Sequence, residues 1–60
     1  MNAQRAQEIV SSPVMVDVTC EGAPVYIQHV DERKETARIY PLGSPEEERE
    51  VPLYALTEQG

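Results

Sequence analysis

His29 and Cys20 are the only histidine and the only cysteine in the sequence, and so the first side chains to ask about proton transfer or nucleophilic attack. A histidine base needs an activated hydroxyl or thiol within reach, and no serine or cysteine in a recognisable motif accompanies His29. It reads better as a strand histidine that packs or hydrogen-bonds locally. Cys20 sits in an alternating apolar series, which suits a small buried hydrophobe rather than a reactive thiolate. As metal ligands these two fall short of the about four that a structural zinc site takes at close spacings. The carboxylates Glu46, Glu47, Glu48 and Glu50 lack the glycine-containing Asp/Asn spacing of a calcium loop, so the run reads as a solvated loop. No catalytic residue, no metal ligand and no cofactor is therefore assigned, and the chain is expected not to be an enzyme.

A second constellation has more to offer. Tyr26 and Tyr40, joined by Arg33, Lys34 and Arg38, could present an aromatic and basic face to single-stranded nucleic acid, whose bases stack on tyrosine rings. The charge balance argues the other way. Eleven acidic residues against five basic ones give a net charge of −6, which disfavours tight seating on phosphates. Arg5, Arg33, Lys34, Arg38 and Arg49 are also dispersed along the chain. Arg33, Lys34 and Arg38 would gather around a hairpin end only after folding, and the plainer reading there is a solvated tip. Tyr26, Tyr40 and Tyr54 read equally well as rings that seal sheet faces in a core poor in aromatics. Nucleic acid is kept as the alternative.

The elements that position these residues follow from spacing. Residues 2–11 carry Ala3, Ala6, Ile9 and Val10 at helical intervals behind Asn2, a natural N-cap, and Ser12-Pro13 ends the helix because the residue before proline is pushed to extended geometry. An N-terminal helical segment over 1–12 follows. Ten residues are barely helical alone, so the apolar stripe must dock. From Val14 the period becomes two: Val14, Val16, Val18 and Cys20 alternate with Met15, Asp17 and Thr19. Glu21-Gly22-Ala23-Pro24 forms a turn, with Gly22 free to take positive φ and Pro24 suited to a strand's first position. The second strand is Val25 to Val30, with Val25, Ile27 and His29 on one face. A charged loop, residues 31–35, leads into a third run, Thr36 to Tyr40, closed by Pro41 and Gly43-Ser44-Pro45. Val51-Pro52-Leu53 reads as a short edge strand running into a helical or 3₁₀ turn at Tyr54-Ala55-Leu56. The expected fold is mainly β with a short N-terminal helix (α+β): one small domain over 1–60, in which a β meander over 14–57 with a short C-terminal turn curls into a small antiparallel sheet of the Src-homology-3-like, partial-barrel kind.

A 60-residue chain buries only about 60% of its unfolded surface and needs added support. The single cysteine rules out an internal disulfide, so self-association, a homodimer, is the expected support; a monomer held by unusually good strand packing is the alternative. No run approaches the roughly 18 apolar residues of a membrane span, and residues 1–5 lack the apolar core of a signal peptide. The chain is expected to stay in the cytosol of its cell, away from membranes.

Several blocks in order carry a family resemblance: Met1-Asn2 with Arg5-Ala6 and Glu8-Ile9, Gly22 with Pro24-Val25, Ile27-Gln28-His29-Val30-Asp31-Glu32, Thr36-Ala37-Arg38-Ile39-Tyr40, and Val51-Pro52-Leu53 with Leu56. Together they resemble an H-type small acid-soluble spore protein over nearly the whole chain. The resemblance implies a minor acid-soluble protein made in the forespore during sporulation and packaged in the spore core. It brings no catalytic or binding residues with it. The DNA-coating spore proteins form a different family, with helical DNA-binding segments and a Glu-Phe-Ala-Ser-Glu type cleavage motif, and neither feature occurs here. A non-catalytic spore-core protein that packs, self-associates or binds another spore component is the leading expectation.

Overall fold

The computed structural model describes residues 1–59. Helix α1 spans Ala3–Ser11. The Asn2 side chain caps it, its Oδ1 accepting the Arg5 N–H at 2.7 Å, which satisfies one of the otherwise orphaned donors of the first turn. Ser12 leaves the helix with φ −72° and ψ 135°, as the following proline demands. Its hydroxyl donates to the Val14 carbonyl at 2.8 Å and accepts the Val14 N–H at 3.2 Å, a local bond pair that swings the chain off the helix axis.

Five short strands follow: β1 Val18–Cys20, β2 Ala23–Asp31, β3 Thr36–Pro41, β4 Arg49–Pro52 and β5 Leu56–Glu58, with a 3₁₀ turn at Leu53–Ala55 between the last two. The sheet order is β4-β3-β2-β1-β5 and every pairing is antiparallel. The β1–β2 hairpin has a two-residue loop with Glu21 at φ 54° and Gly22 at φ 83°. Two consecutive positive φ values make a type I′ turn, whose twist matches the strands it joins. The wider β2–β3 loop is held by Asp31, whose Oδ1 accepts the Arg33 and Lys34 N–H groups at 3.0 and 3.1 Å. β5 returns to pair with β1, Cys20 opposite Leu56 and Val18 opposite Glu58. That closure curls the sheet into a half-barrel, and α1 lies across it with Ala6 fully buried in the core.

The core takes Val18 and Cys20 from β1, Ala37 and Ile39 from β3, Val51 from β4, and Leu53 and Leu56 beyond it. Leu56, expected to end the 3₁₀ turn, instead opens β5, and the structure also departs from the spacing in β1 and β2. β1 begins at Val18 rather than Val14, and Val14 and Met15 are exposed. Pro24 occupies the second position of β2, where its carbonyl accepts the Leu42 N–H at 3.2 Å; the N–H it lacks faces the same residue, so its absence costs only one bond at the very end of the ladder. In β2 the register slips between Ile27 and His29. The extra residue of this bulge reverses the alternation, so Val25, Ile27 and Val30 are buried while His29 faces solvent, contrary to the expected grouping of His29 with Val25 and Ile27.

Candidate functional site

The chemically suggestive side chains are kept apart. Cys20 is a free, buried thiol inside the half-barrel, and an Arg49 guanidinium N–H donates weakly to its Sγ at 4.0 Å. His29 lies on the outer face of β2, opposite Arg38 in the register. Burial beneath the half-barrel makes Cys20 a packing residue. Among the described residues, no group of three or more His, Cys, Asp or Glu side chains is placed to hold a metal ion. No helix among them is long and apolar enough to cross a membrane.

The outer face of β2 and β3 collects part of the aromatic and basic constellation. Tyr26 and Tyr40 are cross-strand partners with ring centroids 5.3 Å apart and planes tilted by 30°, a geometry in which the ring quadrupoles attract. Arg38 lies on the same face as Tyr40, since Ala37 and Ile39 both point to the core. It is committed to carboxylates: its Nε donates to Glu48 Oε1 at 3.2 Å, and Glu50 is its partner across the β3–β4 ladder. Thr36 Oγ1 in turn donates to Glu50 Oε2 at 2.8 Å. Arg33 and Lys34 project from the far end of the hairpin, on the order of 20 Å along the strands from the tyrosines at about 3.3 Å per residue. Tyr26, Tyr40 and Arg38 are thus brought onto one face, and Arg33 and Lys34 are not brought to them. Tyr54 sits apart from the pair on the 3₁₀ turn, exposed.

A surface that residue types alone did not single out lies beside the tyrosines. Val14, Met15, Leu42 and Tyr26 are 69, 60, 44 and 43% exposed. Met15 lines two neighbouring hollows. One, of about 220 Å³, is walled by Ile9, Val10, Val14, Tyr26 and Ile27; the other, of about 230 Å³, by Leu42, Pro24, Thr19, Asp17 and Gln59. The signal in the sequence was the unbroken apolar run Pro13-Val14-Met15-Val16, because a half-buried strand can hide only every second member of such a run.

Two ion pairs tie outlying parts of the chain together. Arg5 grips Glu58 with two hydrogen bonds, at 2.8 and 2.6 Å, and reaches Glu8 at 3.1 Å, joining α1 to β5. The hydrogen bond from Arg5 holds the Glu58 carboxyl below its ordinary range, and the Glu58 and Glu8 carboxylates push the Arg5 guanidinium further up. The second pair is Arg38 with Glu48.

Fold and surface define a class: a small acidic half-barrel with its one thiol buried and none of its carboxylates in the core. The model of the Small acid-soluble spore protein H family matches residues 1–58, and the chain belongs to that family. It is 71% identical over 58 residues to Small, acid-soluble spore protein H of Bacillus licheniformis, spanning 97% of this chain and 98% of that protein. The proteins of the same name from Halalkalibacterium halodurans and Bacillus subtilis are each 62% identical over 58 residues, spanning 97% of this chain and 97 and 98% of their own lengths. No solved structure matches the chain significantly. The chain is accordingly a small acid-soluble protein of bacterial spores.

Proposed function

We propose that this protein resides in the spore core, made in the forespore, and acts without catalysis, by packing, self-association or contact with another spore component. The observation that carries this reading is the end-to-end agreement with the spore protein family, over residues 1–58. The geometry supports it. The thiol and the imidazole lie on opposite sides of one sheet, which leaves no pair to share a proton. Charge accounts for the solubility that names the family. In acid the eleven carboxylates neutralise while the five Lys/Arg remain positive, and a small, cationic chain with its core closed stays dispersed. Extraction of decoated, broken spores with dilute acid tests the placement: the protein is expected in the core extract, and recovery in the coat fraction alone would overturn it.

The Tyr26–Tyr40 pair sustains weak nucleic-acid binding as the second reading, with Arg38, Arg33 and Lys34 as the basic component. Titration of labelled protein with short single- and double-stranded DNA, followed by backbone amide resonances, separates the two readings. Shifts at residues 26, 33, 34, 38 and 40 that fade with salt would favour nucleic acid; an unchanged spectrum at low salt favours the packing role.

A further inference from the structure

We propose that the face formed by Val14, Met15, Leu42 and Tyr26 is a self-complementary interface, and that its occupant is a second copy of this chain. The proposal rests on the self-association named above and adds the surface that performs it. Three properties of the face point to this occupant.

Size is the first. At their exposures the four side chains present on the order of 400 Å² of surface, the size of the largest apolar patch on a typical monomer, which is often functional. With the rim prolines Pro13 and Pro24 the face approaches the roughly 500 Å² per copy at which specific interfaces begin, about an eighth of the 4094 Å² that the molecule exposes.

Shape is the second. Met15, exposed, lines both hollows, with the buried Val18 and Val25 beneath them. A two-fold axis that seats the Met15 side chain of one copy in a hollow of its partner makes the same contact a second time, which is the defining property of an isologous dimer. Methionine suits the role because its unbranched side chain adapts to an irregular hollow.

Charge is the third. Each copy carries −6, so two copies repel unless they meet where the acids are sparse. Asp17 is the one acidic or basic residue among those lining the two hollows. A basic partner would find no carboxylate cluster on this face, and a polyanion would find no cation. A nearly uncharged, apolar face leaves a like molecule as the partner it matches.

Sedimentation of the full chain over roughly 10 to 500 μM tests the proposal, a range that brackets the weak association expected of a small interface. The wild type is expected to shift from monomer to dimer. Met15→Ser and Leu42→Ser, both at exposed positions, are each expected to weaken the dimer by roughly tenfold or more, while Tyr54→Ser, which removes an equally exposed ring elsewhere, leaves it within about twofold. Raising salt from about 20 to about 150 mM is expected to tighten the dimer, because screening relieves the repulsion between like charges. A wild type that stays monomeric throughout overturns both the proposal and self-association as a role. A dimer that survives Met15→Ser and Leu42→Ser overturns the assigned face and leaves self-association standing. Circular dichroism of each variant confirms that it is folded before its sedimentation is interpreted.

Discussion

Shortening Ile39 tests the core directly. Ile39 is 0% exposed at the middle of β3, opposite Ile27 of β2 on one side and Arg49 of β4 on the other, so atoms removed there leave a void that neighbours on both sides must collapse to fill. Ile39→Val is expected to cost about 0.5–1.5 kcal/mol and Ile39→Ala about 2–5 kcal/mol. A chain of 60 residues is stable by only roughly 3–9 kcal/mol at about 0.05–0.15 kcal/mol per residue. The valine variant should therefore fold with a melting temperature lower by about 4–8 °C per kcal/mol lost, and the alanine variant should lose a large share of its stability or all of it. Urea and thermal denaturation followed by far-ultraviolet circular dichroism, at one fixed protein concentration because a dimer makes stability concentration-dependent, measures both. Met15→Ala, on the exposed face, should stay within about 0.5 kcal/mol of wild type under conditions where the chain is monomeric. An Ile39→Ala loss below about 1 kcal/mol, or a Met15→Ala loss equal to it, would refute this placement of the core.

Glu21 holds positive φ in a type I′ turn that favours asparagine, so Glu21→Asn should stabilise the protein by several tenths of a kcal/mol in urea melts. Removing the helix cap with Asn2→Ala should cost about 1 kcal/mol, and no change would mean that the Oδ1 bond to the Arg5 N–H contributes nothing. Because the Arg5 hydrogen bond depresses the Glu58 carboxyl in the folded state, the unfolded chain takes up that proton first as pH falls. The contribution is complete above the ordinary carboxylate range and is lost as pH drops through the lower native value. Glu58→Gln should flatten this part of the acid dependence, seen in urea melts between about pH 6 and about pH 3, and an unaltered slope would contradict the pairing. The Cys20 thiol should resist an aromatic disulfide reagent in the native protein and react once urea unfolds it; rapid native labelling would contradict its burial.

The helix over 2–11, a turn needing positive φ at Gly22 and an edge strand at Val51-Pro52 running into a 3₁₀ turn were all legible locally. Each depends on residues within a few positions of one another: Asn2 as cap, Pro13 as stop, a glycine where φ must be positive, Pro52 at an edge. Family membership was legible for a related reason, since ordered blocks such as Ile27 to Glu32 and Thr36 to Tyr40 are properties of the chain whatever its fold. The candidate site was legible only as residue types. Strand spacing could bring Tyr26 and Tyr40 together, but the register put Arg33 and Lys34 at the opposite end of the hairpin and gave Arg38 to Glu48.

Tertiary structure alone decided the rest. β5 on β1, which closes the half-barrel, joins segments far apart in sequence, and such a pairing forms only because the whole core favours it over local alternatives. The bulge at Gln28 and His29 turned His29 outward so that Val30 could fill the core, a choice between two faces that period-two spacing cannot make. Val14 and Met15 are apolar in either state. They lie exposed because the chain leaving α1 reaches the sheet only at Val18, and periodicity describes the residues of a strand without showing where that strand first meets its partner.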